Sequence, residues 1–252
     1  MSEQVNKVAY FFDSIANQYA QKYGKTNILT EYFFQQRLQA AIEGIDIRGK
    51  KILDIGAGTG PLYDVLKLQN LDFEYFACDI SQNMKAQSNI AADKYHIGQA
   101  FEINWSDTTF DYVFVLGVNT YMTQTDWNKT LDFIHQRLSP NGNAVISFTN
   151  EHSVDIKIRR FFNRFNFIWN KKNAIAQSFD FQTFDYQQFV NQNTRFVAKK
   201  TFWLNQTLSG INRIVPKMSI RLGHFLLQQF KNNSTILEKC SSDFLLVFEK
   251  KS

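Results

Sequence analysis

Short apolar runs alternate along the chain with segments whose apolar residues recur at helical spacing. The apolar runs predict five strands within residues 50–150, namely Lys51–Ile55, Phe73–Asp79, His96–Ala100, Phe110–Gly117 and Asn143–Thr149. The segments between them predict helices over Pro61–Lys67, from Ser81 to about Tyr95, and over Asp126–Leu138. Strands that alternate with helices indicate a parallel sheet covered on both faces.

The flanking segments follow a different pattern. Val8–Tyr19 and Ile28–Ile42 are predicted helices separated by Gly24. After Asn150 the chain is aromatic and basic, and two further strands are predicted at Thr194–Trp203 and Asp243–Lys250. We interpret residues 151–192 and 204–235 as largely helical insertions around these strands. They are expected to lie over the carboxyl edge of the sheet, where open α/β sheets bind ligands.

The elements together predict an α/β fold with a doubly wound, mostly parallel seven-stranded sheet and a helical cap. A length of 252 residues fits one large domain. Residues 1–45 are expected to cover the ligand site with helices, and residues 46–150 to form the ligand-binding core. Residues 151–252 are expected to supply cap helices and the last two strands of the same domain.

Composition indicates in which cellular compartment the protein is expected. No stretch of about 18 apolar residues predicts a membrane span, and the first residues lack the apolar core of a signal peptide. Cys78 and Cys240 are the only cysteines, too few for a disulfide framework, so a reducing cytoplasm is the expected compartment.

Charge is distributed unevenly. The formal net charge is −4 over residues 1–150 and +9 over residues 151–252. The basic part could attract an anionic substrate, a lipid surface or nucleic acid, or it could simply be a solvated surface.

The segment Lys51–Gly60 carries the strongest functional signal. An apolar strand is followed by Gly56, Gly58 and Gly60, and Pro61 suits the first turn of a helix. Strand, glycine loop and helix are the arrangement that binds a nucleotide at the edge of a parallel sheet. Because Pro61 stands where the dehydrogenase fingerprint needs its third glycine, and no Gly-Lys-Ser/Thr follows, the loop favours a ligand without a pyrophosphate.

Asp79 is the second part of this signal. It ends the second predicted strand, where a carboxylate can accept hydrogen bonds from both hydroxyls of a ribose. The alternative is that Asp79 only caps the next helix.

At these positions the sequence resembles the class I S-adenosylmethionine-dependent methyltransferases. The resemblance covers about residues 10–150, and six segments occur in the family's order: Phe12–Tyr19, Ile52–Gly60, Cys78–Ser81, Gly98–Ala100, Phe110–Val118 and Leu138–Gly142.

The resemblance implies a cofactor site. Asp54 and the loop residues Gly56, Ala57 and Gly58 would receive the methionine part, and Asp79 would hold the ribose. The remaining cofactor-binding roles would fall to Tyr19 over the methionine end, Ile80 and Met84 on the adenine, Gln99 and Ala100 at its edge, and the carbonyl near Leu116. Two positions depart from the family's common pattern: Gln99 replaces an Asp, and Thr120-Tyr121 replaces a Glu-His pair.

The expected chemistry is methyl transfer by in-line displacement, which needs alignment of the acceptor and in some cases a base. Candidates for a catalytic role are His152, Tyr121 and Asn119, with His224 as a weaker one, whereas His96 and His135 are interpreted as structural. No metal is expected, because Leu116–Thr120 offers no acidic ligand.

The predicted function is transfer of a methyl group from S-adenosylmethionine to an oxygen or nitrogen of a small-molecule acceptor, leaving S-adenosylhomocysteine. Nucleic acid is not the expected partner. The alternatives are a peripheral-membrane methyltransferase for a lipid or quinone-like acceptor, a non-catalytic cofactor-binding module and, more distantly, a dehydrogenase.

Two segments bear on the acceptor. The aromatic and basic run Arg159–Trp169, with the aromatics of 179–189, could pack in the core, form a lid over an aromatic or lipid-like acceptor, or stack on single-stranded nucleic acid. Residues 211–230 could form an amphipathic helix on an anionic membrane, or one that packs on its own domain.

Overall fold

The computed structural model describes residues 3–23, 28–158, 181–206 and 215–251. Its helices are α1 (Glu3–Tyr23), α2 (Ile28–Ile42), α3 (Pro61–Lys67), α4 (Gln82–Ala86), α5 (Gln124–Arg137), α6 (Tyr186–Gln192), α7 (Pro216–Gln229) and α8 (Ser234–Cys240). Its strands are β1 (Lys50–Ile55), β2 (Phe73–Asp79), β3 (Tyr95–Ile97), β4 (Phe110–Val115), β5 (Leu138–Thr149), β6 (Phe196–Gln206) and β7 (Ser241–Lys250).

The strands form one seven-stranded sheet in the order β3-β2-β1-β4-β5-β7-β6. The pairs from β3 to β5 are parallel, and β7 runs antiparallel to both β5 and β6. The predicted fold class is therefore confirmed, with an antiparallel hairpin at one edge. Since Thr149 at the end of β5 pairs with Asp243, β7 begins at the edge where the parallel strands end.

Alternating side chains along the strands build a core on each face of the sheet. On β1, Ile52 belongs to one core and Leu53 to the other, and neither is exposed. Trp127 of α5 packs in the core of Leu53, whereas Leu66 of α3 packs in that of Ile52. Burial on both faces explains why the strands read as continuous apolar runs rather than as alternating ones.

Several predicted elements differ in length from the observed ones, and β5 begins at Leu138 instead of Asn143. The helix predicted from Ser81 to about Tyr95 ends at Ala86, because the next residues form turns in which the Ser88 hydroxyl accepts a bond from Ile90 N at 3.2 Å. The strand predicted over His96–Ala100 ends at Ile97, and Ala100 begins a single 3₁₀ turn.

The carboxyl-terminal elements are longer than predicted. β6 continues to Gln206 instead of ending at Trp203, and β7 starts at Ser241, directly after α8. Most of the predicted aromatic cap, Arg159–Trp169 with Phe179, lies outside the described residues, as does the start of the predicted amphipathic segment, Ile211–Ile214. Within the described ranges, no helix has the length and apolarity needed to cross a membrane.

Candidate active site

The loop after β1 has a backbone that glycine alone adopts readily. Gly56, Gly58 and Gly60 have φ angles of 74°, 57° and 84°, in the left-handed region. A Cβ on Gly56 would lie 2.3 Å from Val118 Cγ2, so this glycine is also needed for close packing. The amides of Gly56 and Ala57 donate to the carbonyl of Cys78 at 2.7 and 3.1 Å, which fixes the loop to the end of β2.

Asp79 links the loop to the start of α4. Its Oδ2 accepts from Gly58 N at 2.9 Å, and its Oδ1 accepts from Ser81 N at 2.9 Å. Burial raises the pKa of Asp79, and these backbone donors partly oppose that rise. The helix cap is supplied by Ser81, whose hydroxyl accepts from Met84 N, so Asp79 is not the capping residue of α4.

Asp54, the second carboxylate of the site, is almost fully buried at the end of β1. Its Oδ2 accepts a hydrogen bond from the Tyr75 hydroxyl at 2.7 Å. Burial raises the pKa of Asp54 to about 7, with a smaller rise from the charge of Asp79, against the lowering effect of the Tyr75 bond. Asp54 is thus a carboxylate whose ionisation becomes easier when a cation binds beside it.

Helix α1 is fixed over this edge of the sheet. Asp13 Oδ1 accepts from the Ser81 hydroxyl at 2.6 Å and from Asn83 N at 3.0 Å. The Asn83 side chain donates in return to the Asp13 carbonyl at 3.1 Å. The three bonds hold α1 against the first turn of α4.

A first cavity of about 100 Å³ lies between α1 and the carboxyl ends of β1, β2 and β4. Asp79 and Gly58 are on its wall, and the tip of α1 contributes Tyr19. The other predicted cofactor-binding residues on its wall are Gly56, Ile80, Met84, Gln99, Ala100 and Leu116.

A second cavity, of about 310 Å³, adjoins the first and contains the other two predicted cofactor residues, Asp54 and Ala57. The two cavities have a common wall formed by Phe12, Tyr19, Gly56, Gly58, Leu116, Gly117 and Tyr121. The structure therefore brings all the predicted cofactor-binding residues together around the space of two adjoining cavities.

Of the three predicted catalytic residues, only Tyr121 lines this space. Asn119 is 1% exposed, lines neither cavity, and its side-chain amide has no hydrogen-bond partner in the described part of the chain. It follows β4 as predicted, but a 3₁₀ turn over Asn119–Tyr121 directs the chain so that Tyr121 reaches the wall.

His152 also lines neither cavity. Its Nε2 lies 2.8 Å from Asp185 Oδ2, and this bond is the largest cause of the lowered pKa of Asp185. Its ligand atoms group with those of Asp185 and Glu238 within 4.8 Å of one another, a separate cluster away from the cavities. His224 of α7 packs its ring on Tyr32, with 5.2 Å between the ring centroids.

The sequence prediction missed three polar residues of the second cavity: Arg37, Asn205 and Asp243. Arg37 lies in the middle of α2, where nothing in the sequence marks it as a site residue. Asn205 and Asp243 lie at strand ends, where polar residues usually mark turns. Asp243 could have been predicted only from the topology of the sheet, because an antiparallel last strand begins at the edge where the parallel strands end.

Comparison with known proteins is consistent with this geometry. A family model described as a methyltransferase domain matches residues 28–199. No match is found among curated protein sequences.

Solved structures with the same fold share little sequence with the chain. Magnesium protoporphyrin IX methyltransferase (ChlM) from Synechocystis PCC 6803, with bound SAH, is 10% identical, with a TM-score of 0.66 over 99% of this chain and 100% of that one. The N-methyltransferase NodS from Bradyrhizobium japonicum WM9, also with SAH, is 12% identical, with a TM-score of 0.62 over 98% and 100% of the two chains.

Proposed function

We propose that this chain, which belongs to the methyltransferase-domain family, transfers a methyl group from S-adenosylmethionine to an oxygen or nitrogen of a small-molecule acceptor. The observation that carries the proposal is the space of the two adjoining cavities at the carboxyl edge of the sheet. Its glycine loop has no room for a Cβ at Gly56, and Asp79 stands beside it. Around this space lie all the residues that the resemblance assigned to the cofactor.

The first cavity suits the adenosine part of the cofactor. A carboxylate has about four lone-pair sites, so Asp79 can keep its two backbone donors and still accept from ribose hydroxyls. Ile80 and Met84 would pack on the adenine, and Gln99 with the amide of Ala100 would meet its edge.

The second cavity suits the methionine part of the cofactor and, beyond it, the acceptor. Asp54, Ala57 and the loop amides would receive the methionine end, with Tyr19 over it and the Leu116 carbonyl beside it. When bound, the cofactor supplies an activated methyl group, so the protein needs mainly to orient the acceptor and exclude water. Tyr121, on the common wall, is the described candidate that could orient an acceptor or receive its proton.

The neighbours' names support a small acceptor without identifying it. One names a porphyrin compound and another is called an N-methyltransferase. A non-catalytic module is the alternative from another class, since a cofactor site alone does not prove turnover.

The test combines binding with turnover. Asp79→Ala should weaken S-adenosylmethionine binding by about 1–3 kcal/mol in calorimetry, because a charged acceptor of ribose hydroxyls is lost. Glu74→Ala, which removes an exposed carboxylate from the same strand, is the matched control and should bind normally. Labelled cofactor with a broad panel of alcohols, phenols and amines then measures methyl transfer.

Two results would count against the proposal. Unchanged affinity in Asp79→Ala would reject its ribose role. Tight cofactor binding with no transfer to any member of the panel would favour the non-catalytic module.

A further inference from the structure

The wall of the second cavity includes a polar group of three residues, Arg37, Asn205 and Asp243. Asp243 Oδ2 accepts from Arg37 Nη2 at 3.2 Å and also from the side-chain amide of Asn205. The other carboxylate oxygen, Oδ1, has no donor among the described residues, although the residue lines the cavity. Asp243 therefore has an unused acceptor at the cavity wall.

Asn205 provides a second unused acceptor. Its side chain is 98% buried, and its Oδ1 lacks a hydrogen-bond partner in the described part of the chain. Its backbone is fixed on both sides, since its amide donates to Gln36 Oε1 at 2.8 Å and its carbonyl accepts from the Ser242 hydroxyl at 2.9 Å. With φ at 59°, Asn205 is held in a left-handed conformation inside a strand, the kind of local strain that is common at ligand sites.

The polar group lies next to the common wall of the two cavities, where the proposed function places the meeting of cofactor and acceptor. A Cβ on Gly117 would be only 2.5 Å from Arg37 Nη1, so the guanidinium lies against the glycine that lines both cavities. Arg37 Nη2 donates to Asp243, whereas Arg37 Nη1 lies against Gly117. The Asp243 carboxylate is therefore separated from the common wall of the two cavities by one guanidinium group.

The chemistry of the two unused oxygens selects among acceptors. Both oxygens need donors, and a protonated primary or secondary amine has two or more N–H bonds, whereas an alcohol has one O–H bond. A carboxylate or phosphate has none at neutral pH and would be repelled by Asp243. Arg37 offers less attraction to such an anion, because its Nη2 is already paired with Asp243, although its buried Nε has no hydrogen-bond partner among the described residues.

We propose that the second cavity binds a small primary or secondary amine as the methyl acceptor, with Asp243 Oδ1 and Asn205 Oδ1 accepting its N–H bonds. This rests on the proposed function and names the substrate class within it. The bound ammonium gives one proton to Asp243, and the freed lone pair forms the N–CH₃ bond. The S–CH₃ bond breaks with its electron pair on sulfur, and Asp243 later returns its proton to water.

The test uses the full chain saturated with S-adenosylhomocysteine and three probes with the same apolar body, 2-phenylethylamine, 2-phenylethanol and 3-phenylpropanoate. Calorimetry should show the amine binding at least tenfold tighter than the alcohol and the carboxylate. Asp243→Asn should remove most of that preference and leave affinity for S-adenosylhomocysteine unchanged. Asp132→Asn, which breaks the surface ion pair with Arg195, is the matched control and should keep the preference.

A second variant covers the case in which Asp243→Asn fails to fold. Asn205→Gly removes the buried oxygen but allows the left-handed backbone, and it should lower amine affinity severalfold. Absence of S-adenosylhomocysteine binding in the wild type would defeat the proposed function itself. Normal binding of it without a preference for the amine, or a preference that survives both variants, would overturn only the amine assignment.

Discussion

Asp54 shows how one buried carboxylate can couple cofactor binding to stability. It is 3% exposed, its pKa is raised to about 7 by burial, and its described hydrogen-bond donor is the Tyr75 hydroxyl. The folded chain therefore holds a proton on Asp54 at pH values where the unfolded chain has lost it. Between pH 3.8 and about 7 the folded state binds more protons, so the free energy of unfolding falls as pH rises.

The variant Asp54→Asn removes this titration. It should gain stability relative to wild type as pH rises through that window, reaching about 4 kcal/mol above pH 7, because the variant has no charge to bury. Urea unfolding of the ligand-free protein at pH 4.5 and pH 8 measures the difference. Asp72→Asn at an exposed site is the control, and a difference for Asp54→Asn that does not vary with pH would contradict the prediction.

At the level of single residues, the sequence predicted the cofactor side of the site better than the acceptor side. Gly56 follows the first predicted strand and Asp79 ends the second, so the parallel order of these strands alone places both residues at one edge of the sheet. Asn205 and Asp243 come together only because β6 and β7 pair antiparallel, with Leu204 opposite Asp243. His152 was predicted near the ligand from its place after β5, but Asn150 Oδ1 accepts from its backbone amide at 3.0 Å in a turn, and its ring pairs with Asp185.

At the level of elements, α1 is held to α4 by a few bonds that can be tested directly. Asp13 accepts two hydrogen bonds from the start of α4, and α1 covers the first cavity with Val5, Val8 and Phe12. Asp13→Ala should destabilise the fold by about 0.5–2 kcal/mol, the range found for lost helix caps. It should also weaken cofactor binding, because α1 would open more often.

Limited proteolysis within α1 and calorimetry with S-adenosylhomocysteine measure these two effects. Glu3→Ala is the control on the same helix, since it removes only an exposed pair with Lys7. Faster cleavage of α1 without a change in affinity would mean that α1 does not enclose the ligand.

Prediction succeeded for some strands and some helices and failed for others. β2, α2 and α3 have their predicted bounds, whereas β5 begins at Leu138 instead of Asn143 and α4 ends at Ala86. In β2 the residues Tyr75, Ala77 and Cys78 are buried, and this apolar centre allowed the strand to be predicted with its observed bounds although Glu74 is exposed. α4 was predicted too long because Asn89 and Ile90 fit a helical pattern. In the structure Ile90 is buried in the core beside α3, whereas the Asn89 amide donates to Asp64 at 3.2 Å, so tertiary contacts decide where α4 ends.

Helix α7 has a buried face of small residues and an exposed face of larger apolar ones. Ser219 and Gly223 face the sheet, and a Cβ on Gly223 would lie 2.5 Å from the Gln206 carbonyl. The larger residues Met218 and Phe225 are therefore turned outward and are 52% and 54% exposed, on a helix without acidic residues. The helix thus packs on its own domain through Ser219 and Gly223, which is one of the two alternatives that the sequence left open. Contact of its outer face with an anionic membrane, the other alternative, stays a prediction.

At the level of the whole molecule, ligand binding should stabilise one edge of the sheet more than the other. The cavities lie where β1, β4 and β5 end, whereas Phe196 and Lys250 pair at the opposite end of the β6–β7 hairpin. S-adenosylhomocysteine at about 100 times its Kd adds about 2.7 kcal/mol of stability, a Tm rise of roughly 5–11 °C for a domain of this size.

Hydrogen exchange should locate that stabilisation. With ligand, amides of α1, residues 56–60 and α4 should exchange more slowly, and the Phe196 end of the hairpin should change least, because only the former elements enclose the first cavity. NAD at the same concentration is the control, since Pro61 in place of a third glycine argues against a pyrophosphate site. Protection by NAD, or protection spread evenly over both ends of the sheet, would contradict the assignment of the ligand to this edge.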